Sequence, residues 1–376
     1  MRLRRLWLLG VVLALSFETQ AEDAIVSDIA WLPSVQQPPS EIPLPAKPLR
    51  PLLQDDQQQP ITELNAWKRE RAKLQERWLT FLGPMPERPA DTTFRVLKRE
   101  ELAFGSRELV EYEGEPGLPV QGYLLRPSGK AKRASRAGIV AMHPTTTLTI
   151  DAIAGVQGEA REHTGIELVK AGFVVFCPRC FLWQDTASLP AAVAKHKERN
   201  PQTTGMAKML YDARRAVDIL ASLPDVDPKR IGAFGHSLGA KETLYLLAFD
   251  ERLQAGVASE GGIALDATNW EAPWYLGPAA RDPKWERNHH ELLALIAPRA
   301  LLIIAGEQGS GAADGRRTWP YLAAALPVYR LYGASAPLGL LNHGQGHPLP
   351  AKELAQGIAW LKCYTANSAA PSPAVK

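Results

Sequence analysis

Cysteine is scarce: three residues, Cys177, Cys180 and Cys363, in a chain of 376. At most one pair can close, so no disulfide scaffold supports the fold and stability must come from a hydrophobic core. An excess of one charge is also missing, with 43 Lys and Arg against 40 Asp and Glu, a net +3, and the basic residues are scattered rather than striped. Nucleic-acid binding needs a concentrated basic footprint, which this is not. The chain has no H-E-x-x-H, no Cys/His set at ligand spacing, no G-K-S/T and no internal repeat. A metal site, a phosphate loop and a solenoid are therefore not expected, and no cofactor is implied. What is present, 45% hydrophobic and 22% charged residues, is the composition of a soluble globular protein. The length points to one large domain with extensions.

The one long apolar run lies at the start. Met1 to Arg5 carries three arginines, Leu6 to Phe17 is apolar, and Thr19-Gln20-Ala21 ends on a small residue before Glu22. That is the layout of a secretory signal over residues 1–21, too short for a spanning helix of about 20 apolar residues. A periplasmic or secreted protein without a membrane anchor after cleavage is expected. Residues 22–60 then form an arm: eight prolines between 33 and 60 and the patch Gln54 to Gln59 suit an extended segment on the domain surface. Residues 61–92 read as a helical extension, with Thr62 as a cap, an apolar face of Leu64, Trp67, Leu74, Trp78 and Phe81, and a stop at Gly83-Pro84.

The main domain is expected over 93–364, with a frayed tail at 365–376. Strand-like segments at Arg95 to Leu102, Arg107 to Tyr112 and Val120 to Leu125 predict an antiparallel lead-in. Short apolar runs then alternate with helical stretches: 138–142, 172–176, 230–234, 253–259, 300–305 and 328–332. Continuous apolar strands covered on both faces by helices define a mostly parallel α/β sheet. Helices are expected over 206–223 and 354–361.

Strand 230–234 runs into Gly235-His236-Ser237-Leu238-Gly239 and a helix-compatible 240–248. This is G-x-S-x-G between a strand and a helix, the setting in which the motif carries information. Its glycines allow a sharp turn that lifts a serine hydroxyl above the sheet, so Ser237 is the candidate nucleophile. A serine needs a base, and the loop after the last strand offers His343 and His347. His347, between Gly346 and Pro348, is preferred, with His343 as a loop residue. Backbone donors for an oxyanion are expected at Leu238 and Thr145. His143 and the pair His289-His290 are read as structural and solvated respectively. Two carboxylates compete as the acid: Glu260, at the end of the strand after the nucleophile helix, and Asp314, in a glycine-rich loop that looks a poor rigid support. Glu260 is preferred and Glu307 comes third. Trp270 and Trp274 are candidates for the mouth of the site or for packing. Cys177-Pro178-Arg179-Cys180 reads as a local disulfide or two packed thiols rather than a redox motif.

On these stretches, His143-Pro144-Thr145, Asp227 to Gly239, Ser259 to Gly262 and Gly346-His347, the chain from about 107 to 361 resembles the α/β-hydrolase superfamily, dienelactone-hydrolase-like and acetyl-xylan-esterase-like proteins in particular. It is more distantly similar to glucuronoyl esterases of carbohydrate esterase family 15. That similarity implies a sugar contact at Lys241 and the acid at Glu260, but places an arginine where this chain has Leu238. With the signal layout and the serine motif, the resemblance implies an exported serine ester hydrolase acting on a small-molecule or carbohydrate ester. A peptidase of the same fold and a non-catalytic binding protein on a hydrolase scaffold are the rivals.

Overall fold

The computed structural model describes residues 28–366 apart from Asp185, Ala187 and Ala334. The expected signal at 1–21 and most of the tail lie outside the described residues. A nine-stranded sheet forms the centre, from β1 (Phe94–Leu102), β2 (Gly105–Glu113), β3 (Pro119–Pro127), β4 (Arg136–Met142), β5 (Val174–Pro178), β6 (Val226–His236), β7 (Leu253–Ser259), β8 (Ala300–Ala305) and β9 (Leu338–Asn342). The helices are α1 (Leu64–Leu82), α2 (Ile150–Ile153), α3 (Thr164–Lys170), α4 (Leu189–Arg199), α5 (Gly205–Ser222), α6 (Leu238–Phe249), α7 (His289–Ile296), α8 (Trp319–Leu331) and α9 (Ala351–Tyr364).

Strand order is β1-β2-β3-β5-β4-β6-β7-β8-β9. The first three strands and the β3–β5 pairing are antiparallel, and every pairing from β5 to β9 is parallel. This is the α/β-hydrolase architecture, a mostly parallel sheet covered on both faces. Period two in the strands sorts the core: Leu301 and Ile303 of β8 belong to the cluster on the face covered by α5, α6 and α7, and Leu302 and Ile304 to the cluster on the face covered by α3 and α9. Because all six residues of β8 are buried, its sequence reads as an unbroken apolar run.

One expected strand is a helix. Residues 328–332 lie at the end of α8, whose Leu322, Ala325, Leu326, Val328 and Tyr329 are buried at helical spacing, and the last strand is Leu338–Asn342. A five-residue apolar run does not distinguish strand from helix, and Pro327 inside α8 hid the helical period. The loop carrying His343 and His347 still follows the final strand.

Glu63 rather than Thr62 stands at the N-cap of α1, and it makes no side-chain cap. The helix is held by its buried face instead. Trp78 packs edge-on against Tyr245 and Trp285, stacks on His289 at 5.9 Å, and donates its indole N–H to Glu291 at 2.8 Å. His289 and His290 are accordingly buried, not solvated: His289 donates from Nδ1 to Ile263 O at 2.8 Å and His290 pairs with Arg50 O at 2.9 Å. Docking of α1 and the arm over α7 buries them. Along the arm, Val35 sits on Gly339 of β9, Glu41 pairs with Arg316 at 3.0 Å, and Lys47 donates to Asp282 O at 2.9 Å.

Trp78→Ala should destabilise the protein by about 3–5 kcal/mol, through lost burial and the loss of one of the Glu291 carboxylate's partners, Arg77 and the Asn288 N–H remaining. Urea unfolding should show a lower midpoint at unchanged slope; a cost below about 1 kcal/mol would mean that α1 is not integral to the core.

Candidate active site

Strand β6 ends at His236 and α6 begins at Leu238, leaving Ser237 alone in the turn with φ 56° and ψ −114°. A non-glycine residue there is strained, and three backbone segments hold it in place. A Cβ on Gly235 would overlap the Gly239 carbonyl, and one on Gly239 would overlap that of Met142. Ser237 N–H donates to Ser259 O at 2.7 Å. The two glycines thus let β6, α6 and the end of β4 close on one another, which brings the His143–Thr145 loop beside the serine. Leu238 is the first residue of α6, so its N–H is one that no intrahelical carbonyl takes. Thr145 is exposed at the start of the loop, and its side chain bonds the Tyr275 hydroxyl.

His143 braces that loop. Its Nδ1–H donates to Pro144 O at 2.8 Å, its Nε2 accepts Cys180 N–H at 3.2 Å, and Trp183 packs edge-on at 5.2 Å. Burial depresses its pKa to about 4, so the ring stays neutral in the tautomer these bonds require.

His347 approaches from the loop after β9. Its Nδ1 lies 3.9 Å from Glu260 Oε2, its ring is 4.8 Å from that of His236, and Gly311 lies against it. His236, the variable residue of the motif, pairs through Nδ1 with Ser259 Oγ at 3.1 Å, and burial, followed by His347 and His343, depresses its pKa to about 3. Hence the neighbour of His347 is a neutral ring. Reading the motif alone gave His236 no role; its adjacency to Ser237 was the available signal. His343 accepts Gln345 N–H at 3.2 Å and its own N–H goes to Ala305 O at 2.9 Å, so it shapes the loop.

The two carboxylates do different things. Glu260, 2% exposed and at φ 58°, accepts the N–H groups of Gly306 and, at 2.7 Å, Ala313, while turning Oε2 to His347. A Cβ at Gly306 would lie 2.6 Å from the carbonyls of Gln345 and Gly346 and 2.8 Å from Glu260 Oε1. Position 306 is a glycine because the Glu260 carboxylate and the His347 loop occupy its side-chain space. Asp314 is 1% exposed and spends its oxygens on Gly262 N–H at 2.9 Å, Ile263 N–H at 2.8 Å and the Thr318 hydroxyl at 2.6 Å. The expectation of a poorly supported Asp314 does not hold: the residue is rigid, and it clamps the loop after Glu260. Burial and then Glu260 raise its pKa. Glu307 accepts Arg316 N–H at 2.5 Å on the far side of the same loop.

Lys241 and Trp270 do not face an open mouth. Lys241 is 4% exposed, donates to Gly261 O at 2.5 Å and lies 3.9 Å over the Trp270 ring, and burial lowers its pKa to about 7. Trp270 is fully buried with its N–H on Gly262 O at 2.7 Å. Both hold the backbone of residues 261–262. Trp274 is half-buried, its backbone against Gly205 of α5. Cys177 and Cys180 are two buried free thiols, with Cys180 bonded to the Glu242 carboxyl of α6. No group of His, Cys, Asp and Glu suited to a metal ion occurs among the described residues.

Glu242 supplies a test of this packing. Burial raises its pKa from 4.5 to about 8. The folded protein therefore binds this proton more tightly than the unfolded chain. Its contribution is complete below the unfolded value and is lost as pH rises towards 8. Glu242→Gln should flatten the fall in melting temperature between about pH 5 and 8 and raise stability at the upper end. A variant curve parallel to that of the wild type would show that Glu242 is ionised in the fold.

Residues 139–296 match the model of the dienelactone hydrolase family, so the match covers β4 to α7 and includes Ser237 and Glu260. No curated protein matches the chain. Among solved structures, a glucuronoyl esterase from Solibacter usitatus superposes with a TM-score of 0.67 at 19% identity, covering 86% of this chain and 99% of that one. A family 15 glucuronoyl esterase from Teredinibacter turnerae T7901 gives 0.62 at 21%, with 84% and 88% covered. A putative acetyl xylan esterase from Bacteroides fragilis NCTC 9343 gives 0.57 at 14%, with 75% and 79% covered. No helix of the described residues is long and apolar enough to cross a membrane. The chain thus has the α/β-hydrolase fold, with residues 139–296 similar to the dienelactone hydrolase family.

Proposed function

We propose that the protein is a serine carboxylester hydrolase that acts on a small or carbohydrate-linked ester. The observation that carries this reading is the strained Ser237 turn with the His347–Glu260 pair across it. In the first half of the reaction His347 removes the Ser237 proton as Oγ attacks the ester carbonyl, and Leu238 and Thr145 N–H groups hold the oxyanion. The alcohol leaves with the proton from His347, giving an acyl-serine. Water, deprotonated by His347, then releases the acid and restores the serine. Glu260 orients the imidazole and stabilises its cation; the 3.9 Å separation shortens to a hydrogen bond once substrate is bound. The N-terminal apolar run supports export to the periplasm or the medium.

The similarity to glucuronoyl esterases makes a uronate ester the first substrate to test, whereas Leu238 after the nucleophile and the enclosed Lys241 favour an ester whose acid part lacks that contact. Neither a nucleic-acid partner nor a membrane anchor is part of the reading.

Ser237→Ala should reduce hydrolysis of a nitrophenyl acetate by several orders of magnitude and abolish labelling by a fluorophosphonate. Retention of a tenth of the activity would exclude Ser237 as nucleophile, and an unlabelled wild-type protein would favour the non-catalytic rival. Between the carboxylates, Glu260→Gln should lower kcat by roughly 10³-fold or more at unchanged fold, as a mis-set imidazole does. Asp314→Asn should act chiefly on thermal stability, since its bonds are to the loop; the opposite ranking would make Asp314 the acid.

A further inference from the structure

A cavity of about 640 Å³ lies away from Ser237, between the end of α1, the 83–92 loop, α5 and the turn before β7. Its apolar walls include Leu79, Leu82 and Met85, and its charged side carries Arg88, Arg214 and Arg252. Two carboxylates answer these three guanidinium groups. Asp218 takes Arg88 Nε at 2.7 Å and Arg252 Nη1 at 2.7 Å; Asp250 takes Arg252 Nη2 at 2.5 Å and Nε at 2.8 Å. Arg214 is left with Asp250 at 3.7 Å, and its buried Nε has no hydrogen-bond partner. Burial and the like charge of Arg88 both disfavour its cation. Glu87 also lines the cavity but is exposed, and only its carbonyl is engaged there, by the Tyr211 hydroxyl at 3.4 Å.

Arg214 is half-buried, so only its Nε is left without an acceptor while the rest of the fork stays accessible, and a carboxylate is the group whose two oxygens match that fork. The cavity is far larger than one oxyanion, and beside the polar groups Glu87, Thr92, Tyr211 and Asp218 it offers an apolar wall of Leu79, Leu82 and Met85. We propose that it binds an organic carboxylate, with the carboxylate on Arg214 beside Arg88 and an apolar body against Leu79, Leu82 and Met85. The site is separate from the Ser237 turn. Arg252 immediately precedes β7 and Ser259 ends it, so the strand's seven residues, at about 3.3 Å each, set the two about 20 Å apart. Its occupancy does not depend on ester hydrolysis.

Titration calorimetry of the full chain with sodium benzoate, benzyl alcohol and inorganic phosphate tests this. Benzoate should bind saturably at one site, at least tenfold more tightly than either benzyl alcohol or phosphate. Arg214→Gln should weaken benzoate at least tenfold, and Ser237→Ala should leave it within about threefold. Met85→Trp, which fills the cavity without touching an arginine, should also abolish binding and replaces Arg214→Gln if that variant does not fold. Absence of benzoate binding, equal binding by the folded cavity variants, loss of binding in Ser237→Ala, or phosphate binding as tightly as benzoate would overturn the proposal.

Discussion

Everything near the site depends on how closely three backbones approach at Gly235, Gly239 and Met142. Where β6, α6 and β4 meet there is no volume for a Cβ, and the strained dihedrals of Ser237 are the geometric result. Local strain of this kind costs of order 1–3 kcal/mol, and the buried strands on either side make it affordable. Once the approach is made, other features follow from it. The open N-terminus of α6 comes to lie beside the serine, and the loop after β4 is brought within reach of the same point. His143 and Cys180 then tie that loop to the end of β5. Packing, backbone hydrogen bonds and the His143 side chain hold the arrangement together.

A second constraint is the handling of negative charge. Glu260 and Asp314 are both almost wholly buried, and Glu260 is close enough to disfavour the ionisation of Asp314. Each is compensated mainly by backbone N–H groups rather than by a cation, which fixes carboxylate direction more tightly than a mobile lysine would. The division of labour follows from reach. Asp314 is exhausted by the turn at 262–263 and the Thr318 hydroxyl, whereas Glu260 keeps an oxygen towards His347 after satisfying Gly306 and Ala313. Gly306 is what makes this possible, since any side chain there would displace both the carboxylate and the histidine loop.

Fold and nucleophile turn were legible because they rest on local pattern. Runs such as 253–259 and 300–305 are apolar throughout, and G-x-S-x-G is a steric signature confined to five residues. Failures arose where tertiary context decides. Residues 328–332 have the composition of a strand, yet they finish a helix whose period is interrupted by a proline. His289 and His290 sit in a charged stretch and are nevertheless buried, because α1 and the arm, more than 200 residues earlier, cover them. Lys241 stands one turn after the serine, and nothing local reveals that Trp270 and Tyr275 fold back over its amine. Preference for Glu260 over Asp314 could be argued from strand position, but the loop that makes Asp314 rigid is created by the carboxylate's own long-range bonds.

The arm introduces a matter of order in time. Gln36 donates to the carbonyls of Ala336 and Leu338, about 300 positions later in the chain, and Val35 lies on Gly339 of the outermost strand. This segment, made long before β9, can dock only after that strand has been made. Until then β9 presents a free edge, the part of a sheet most prone to pair with another chain. The proline-rich composition of the waiting segment keeps it extended and unlikely to form competing structure of its own, so the chain carries from the outset the piece that later closes its most aggregation-prone edge.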